Sequence, residues 1–502
     1  MSNAHPGPDL LRRGLLAGAL ASAGTAALAN APLQSIRPAA RRPDLSRVAQ
    51  SGAERIIAGS GVTGAVAFAV LDARTGALLE GRAPEAALPP ASSLKAITAQ
   101  YALTTLGPAR RFATRVLATG PLEEGVLRGD LVLVGGGDPT LDTPALAALV
   151  GQLRTLGLQS VEGRLIVDES ALPALPLIDP EQSPHAGYNP GLSGLNLNFN
   201  RVFFEWRRNG AAYDVTMDAR AGSYRPRVGV TRMRVVDRGA PVYTYGEEQG
   251  GAEAWTVARS ALGDNGGRWL PVRRSGAYAG DVFRALAAAQ QIALPEPVAG
   301  AAPRGAAVLA RVESPPLTDI LRDMLEFSTN VTAEVLGLGA TVARGVRPHS
   351  LDRSASAMAD WLAERHQVQA ERLVDHSGLG DGSRISPAAL AGFLASAGQD
   401  DGLLRPLLHE VRFRDGNGRH IPNHPVNAVA KTGTLNFVSA LAGYAEGPGG
   451  RPLAFAILGA DLPRRAKIAP ENRDRPMGAR PWAVRSRRMQ QRLIEAWVTA
   501  HG

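Results

Sequence analysis

Two blocks of this chain, roughly residues 45–114 and 306–502, alternate helical and strand patterns. Between them lies a long stretch, about 115–305, that reads mainly as short strands and turns. A mixed block that is interrupted and then resumed predicts one α/β (α+β) domain carrying a long, mainly-β insertion. With 502 residues, the chain has room for two to four domains of roughly 100–200 residues each.

Individual elements follow from periodicity. An apolar run over Ala65–Leu71, the turn Asp72–Gly76 and a second short run predict a hairpin. After Pro89-Pro90, the apolar positions Leu94, Ile97, Ala99 and Leu103 predict a helix from Ala91, with Ser92 at its entrance. Residues 143–156 read as helical, and strand-rich sequence then runs to about residue 305. Helices are predicted over Leu317–Phe327, Val331–Ala343 and Ala355–His366. Ser386 caps a further helix over Ala388–Ser396, with Pro387 at its first position. Strands are expected at Ala428–Lys431, Val438–Tyr444 and Leu453–Leu458. A last helix over Trp482–Val498 spaces Met489, Leu493 and Trp497 by four.

The N-terminus reads as an export signal over residues 1–29. Arg12-Arg13 precedes an apolar run from Leu15 to Leu28 that ends in Ala27-Leu28-Ala29. The paired arginines fit a twin-arginine or general secretory route, and the run is short of the ~20 residues that span a bilayer. The expectation is a periplasmic protein without a stable transmembrane anchor. The absence of cysteine rules out disulfides, thiolate nucleophiles and thiolate metal sites. The net charge of +9 favours anionic polymers, but no aromatic-basic interleaving supports nucleic acid as the partner.

Several chemical motifs fail on inspection. His409-Glu410 is followed by Phe413 where a zinc protease needs a second histidine. Gly135-Gly136-Gly137 lacks dinucleotide-loop spacing, and no phosphate loop or Gly-x-Ser-x-Gly elbow occurs. His420 and His424 are separated by Pro422 and read as a loop pair rather than metal ligands.

Three motifs hold. Of 55 cationic side chains only Lys95, Lys431 and Lys467 are lysines, and two of these fall in motifs where arginine would not serve. Ser92-Ser93-Leu94-Lys95 puts a serine and a lysine on one helix face, where a neutral amine can take the hydroxyl proton. Ser328-Thr329-Asn330 can point a hydroxyl and an amide into one cleft, although helix capping would also explain it. Lys431-Thr432-Gly433-Thr434 follows a strand. Its cation and hydroxyls can bind a carboxylate while Gly433 allows close backbone approach.

In this order and spacing the three motifs resemble those of the penicillin-recognising serine enzymes. The phrases Pro90–Lys95, Val134–Leu141, Leu195–Asn200, Asp375–Leu379 and Lys431–Leu435 are similar to the D-alanyl-D-alanine carboxypeptidase/endopeptidase family. These are the class C low-molecular-mass penicillin-binding proteins, peptidase family S13. The resemblance covers roughly residues 45–500. It implies a transpeptidase-like domain, helices around an antiparallel sheet, at 45–114 and 306–502. The insertion at 115–305 would form two smaller domains.

By the same resemblance, Ser92 attacks the carbonyl of the penultimate D-alanine and Lys95 is the general base. Ser328 passes the proton to the leaving amine, Asn330 holds the substrate amide, and Lys431 and Thr432 bind the terminal carboxylate. The N–H groups of Ser92 and Thr434 form the oxyanion hole beside Gly433. The implied partners are peptidoglycan stem peptides and cross-links, with β-lactam antibiotics as acylating inhibitors. No metal or cofactor is implied.

Two departures stand out. His376 occupies the place of a glycine that is frequent in the family, and is expected to alter a loop near the cleft. The Arg-rich segment Arg464–Arg492 reads as a solvated surface, with contact to anionic glycan as the other reading. A serine β-lactamase or a non-catalytic cell-wall binding protein on the same fold are the competing readings. The first lacks its deacylation motifs here, and the second does not account for the intact motif residues.

Overall fold

The computed structural model describes residues 52–502. The expected signal at 1–29 lies outside the described residues. The predicted hairpin forms as β1 (Ala65–Asp72) and β2 (Leu78–Arg82). Four strands from the far end of the sequence join it: β3 (His409–Glu410), β4 (Asn427–Leu435), β5 (Val438–Glu446) and β6 (Leu453–Ala460). The antiparallel order is β3-β4-β5-β6-β1-β2, with Ala65 opposite Ala460 and Asp72 opposite Leu453. The interrupted block is therefore resumed strand against strand.

Both faces of this sheet are buried. Strand alternation puts Ala67, Ala69, Ala454, Ala456 and Leu458 on one face, and Phe68, Val70, Phe455 and Ile457 on the other. The small side chains of the first face admit a helical layer. It consists of α1 (Lys95–Leu106), α2 (Leu317–Phe327), α3 (Asn330–Ala343), α4 (Leu351–His366) and α5 (Pro387–Asp400). Helix α5 starts as predicted: the Ser386 hydroxyl accepts the Ala389 N–H at 3.1 Å. The larger face packs against α6 (Ala479–His501) through Met489, Leu493 and Trp497, with Trp497 4.9 Å from the ring of Phe68. No helix among the described residues is long and apolar enough to cross a membrane.

A second core occupies the intervening sequence. Strands Ala113–Ala118 and Ala307–Glu313 lie antiparallel where the chain enters and leaves it. They belong to a five-stranded sheet with Leu131–Val134, Leu165–Asp168 and Pro297–Ala299. Two three-stranded sheets, built from strands between Arg201 and Pro271, join the same core. The expectation of continuous strand sequence to residue 305 is corrected here, because Ser275–Ala289 is a helix. It buries Tyr278, Val282, Phe283 and Leu286, which recur at helical spacing. Gly276 and Gly280 weaken that signal in sequence.

Candidate active site

Ser92 lies in a short 3-10 turn, Ala91–Leu94, which runs directly into α1. From Lys95 to Leu103 every residue of α1 is buried, so the helix passes through the middle of the domain and delivers its first turn to the cleft. Ala91 has φ 45°, a left-handed conformation stored immediately before Ser92. The Lys95 Nζ donates to Ser92 Oγ at 3.0 Å, Asn330 Oδ1 at 2.8 Å and the Ser377 carbonyl at 2.8 Å. Burial pushes the Lys95 pKa down to about 7. Repulsion from Lys431 adds to this, and Glu334 and Asp375 oppose it.

The second motif spans the break between α2 and α3. Ser328 adopts φ 56° at the end of α2 and Asn330 opens α3. Ser328 is the left-handed C-cap residue of α2, and no side chain caps the start of α3. The Asn330 amide is held from both sides: its oxygen accepts from Lys95, and its Nδ2 donates to the Tyr188 carbonyl at 3.0 Å. Tyr188 belongs to the inserted stretch, so the insertion reaches back to the site.

The third motif runs along β4. Among the described residues β3 pairs only with Val429 and Ala430, so Lys431–Leu435 has one edge free of strand partners. The Gly433 face of the strand packs on the turn that bears Ser92. A Cβ on Gly433 would stand 2.9 Å from the Ser92 nitrogen and 2.7 Å from the Pro90 carbonyl, so only glycine lets the two segments approach. Lys431 and Gly433 are buried while Thr432 and Thr434 are exposed, following strand alternation. Burial draws the Lys431 pKa down to about 8, against the pull of Glu326, and its Nζ donates to the Thr432 carbonyl at 3.1 Å.

Ser92, Ser328, Asn330 and Thr434 line one cleft of about 1240 Å³. Lys95 and Lys431 are buried, and Lys95 bridges from within to Ser92 and Asn330. The three motifs, separated by more than 300 residues, meet in one place. Lys467, the remaining lysine, is exposed.

Two acids that sequence reasoning missed sit behind Lys95. Glu334 is one turn after Asn330 and fully buried; its carboxylate accepts the His376 and Ser377 N–H groups, both at 2.9 Å. Asp375 accepts from Gly378 at 2.8 Å and Gly380 at 2.6 Å. Burial, with mutual repulsion at Glu334, raises both pKa values. Together they fix the loop whose Ser377 carbonyl holds Lys95. Gly378 has φ 73° and its missing Cβ would strike the Ala91 carbonyl, which locks this loop against the turn that bears Ser92.

His376 lies on this same loop near the cleft. Its ring turns away from the cleft into the core. There Nε2 is 2.8 Å from Ser354 Oγ, Nδ1 faces Met358, and Gly337 leaves room for the ring. Burial lowers its pKa to about 3, so it is a neutral packing group. His420 and His424 also have separate partners: His420 lies against the Phe413 carbonyl, and His424 stacks on the Phe413 ring and reaches Glu495.

A sequence profile described as the D-Ala-D-Ala carboxypeptidase 3 (S13) family matches residues 53–479. A carboxypeptidase of Mycobacterium tuberculosis is 30% identical over 80% of this chain and 78% of its own length. A D-alanyl-D-alanine carboxypeptidase of an Actinomadura species is 29% identical over 78% of this chain and 76% of its own. Penicillin-binding protein 4 of Haemophilus influenzae superposes with a TM-score of 0.70 at 20% identity, covering 87% of this chain and 97% of that one. The same protein has been solved with a β-lactam, with a TM-score of 0.69. The structural likeness establishes a penicillin-binding-protein fold, a transpeptidase-like domain with an insertion. Since the profile runs through all three motifs and the sequence between them, the chain belongs to the D-Ala-D-Ala carboxypeptidase 3 (S13) family.

Proposed function

We propose that this protein is a serine DD-peptidase that cuts the D-Ala-D-Ala bond of peptidoglycan stem peptides, and D-Ala–diamino-acid cross-links, through an acyl-enzyme on Ser92. The observation that carries this reading is the position of Lys95 Nζ between Ser92 Oγ and Asn330 Oδ1. Of its three partners, the amide oxygen and the Ser377 carbonyl can only accept. The Ser92 hydroxyl alone can donate, so the lone pair of a neutral Lys95 faces the nucleophile. A pKa near 7 leaves much of Lys95 neutral at working pH.

Ser92 Oγ attacks the carbonyl carbon of the penultimate D-alanine as Lys95 takes the hydroxyl proton. The Ser92 and Thr434 N–H groups hold the oxyanion, an arrangement supported by the tight packing of Gly433 on the Ser92 nitrogen. Ser328 passes the proton to the leaving amine as the C–N bond breaks. Asn330 holds the substrate amide, and Lys431 with Thr432 binds the terminal carboxylate. Water, deprotonated at Lys95, then cleaves the ester and regenerates Ser92. β-Lactams enter the same path and acylate Ser92; the Haemophilus protein of like fold binds one.

We assign residues 45–114 and 306–502 to the catalytic domain and 115–305 to the insertion, a division supported by their separate cores; two smaller domains within the insertion are what the family resemblance implies. Export to the periplasm by the signal at 1–29 would place the enzyme with its substrate.

Digestion of isolated sacculi, followed by mass spectrometry of the muropeptides, tests the reading. The expected result is loss of pentapeptides and of cross-linked dimers with the wild type, and neither with Ser92→Ala. Loss of pentapeptides alone would remove the endopeptidase part, and no change at all would contradict the proposal.

A further inference from the structure

The segment Arg464–Arg492 does not simply solvate a surface. Arg465, Arg473, Arg475, Arg480 and Arg487 line the same cleft as Ser92, together with Arg384. Three acids line it as well, and each is already engaged. Glu181 pairs with Arg473 at 2.9 Å, Asp381 with Arg465 at 3.1 Å, and Asp474 with His185 at 2.5 Å. Arg384 donates to the carbonyls of Asp381 and Ser383. Arg475, Arg480 and Arg487 are exposed and have no side-chain partner among the described residues.

These three side chains border the one cleft. Arg475 lies on the loop before α6, and Arg480 and Arg487 are two turns apart on one face of it. Helix α6 opens at Gly478 with no side-chain cap and no acid in its first turn, so its positive end adds to the field. Unpaired arginines gathered in a concavity attract an anion far better than the same charges spread over a convex surface. The cleft, about 1240 Å³, exceeds the roughly 300–1,000 Å³ of a drug-sized site, so a terminal dipeptide leaves much of it unfilled.

We infer that Arg475, Arg480 and Arg487 form a carboxylate-binding subsite for the stem peptide, taking the free glutamyl carboxylate remote from the bond that Ser92 cuts. This rests on the peptidase reading above. The guanidinium fork suits a carboxylate held in two-point contact. The subsite is a specificity device for anionic peptide and takes no part in the bond-breaking step.

The test uses two synthetic pentapeptides, L-Ala–γ-D-Glu–L-Lys–D-Ala–D-Ala and its carboxamide analogue with D-isoglutamine. They differ only at the carboxylate. The wild type is expected to favour the carboxylate peptide about ten-fold in kcat/KM at low salt, mostly through KM, with the preference shrinking as salt rises. The triple variant Arg475→Gln, Arg480→Gln, Arg487→Gln is expected to bring the ratio of the two peptides to about one. Equal cleavage of both peptides by the wild type, or an unchanged ratio in the variant, overturns the subsite and leaves the peptidase reading intact. If neither peptide is cut and benzylpenicillin does not acylate Ser92, the peptidase reading fails and the subsite falls with it.

Discussion

At the scale of single residues the site is a balance of charges around Lys95. Burial and Lys431 push its pKa down, while Glu334 and Asp375 hold it up. If neutral Lys95 is the base, acylation by a β-lactam rises with pH through a midpoint near 7. Lys431→Ala removes a repulsion, so the Lys95 pKa climbs and the rising limb moves to higher pH. Asp375→Asn removes an attraction and moves it to lower pH. Stopped-flow acylation rates across pH check both; a limb that stays in place in both variants would separate the profile from Lys95. Ser92, Lys95, Ser328, Asn330 and Lys431 were legible in sequence because scarce lysines and short spacings mark them. Glu334 was not, although a lone acid among Val331, Ala333, Val335 and Leu336 was a usable sign of a buried charge. The inward direction of the His376 ring was not legible, because it is set by Gly337 and Ser354 across the fold.

At the scale of elements, the contact between β4 and the 90–92 turn sets the geometry. Gly433→Ala would push a methyl group onto the Ser92 nitrogen and open that contact. We expect acylation to slow at least ten-fold, since a 1 Å displacement at a reacting centre costs up to 10². The far-ultraviolet circular dichroism should stay native, because β4 keeps its ladder with β5. A rate within two-fold of wild type would show that the close approach is dispensable. Helices α2 to α6 were legible from their apolar spacing, reinforced at α5 by the Ser386-Pro387 cap. The helix Ser275–Ala289 was obscured by its glycines and by the turn-rich strands before it. The contribution of the insertion, the Tyr188 carbonyl on the Asn330 amide, comes from the main chain 142 residues away and leaves no trace in the Tyr188 side chain.

At the scale of the molecule, two cores sit on one chain, and the sheet that joins β1 to β6 closes around the excursion between them. Trp497 anchors α6 on that sheet and is 1% exposed, while Leu153 is fully buried in the inserted core. Trp497→Ala should cost about 3–5 kcal/mol and Leu153→Ala about 2–5 kcal/mol. If the cores are separate domains, calorimetry resolves two transitions and each variant lowers a different one. A single transition that both variants lower together would make the chain one cooperative unit. The interrupted layout was legible because a shift from mixed to strand-rich pattern survives in sequence. The arginines of the cleft were not, because nothing local distinguishes a solvated cation from one that faces a cavity. The central claim, an acyl-enzyme on Ser92 made by Lys95, is tested most directly by intact-mass spectrometry after exposure to benzylpenicillin. The wild type is predicted to gain one persistent penicilloyl adduct, absent in Ser92→Ala and in Lys95→Arg, which keeps the charge but cannot act as a base. An adduct that survives in Ser92→Ala, or none in the wild type, would contradict the account.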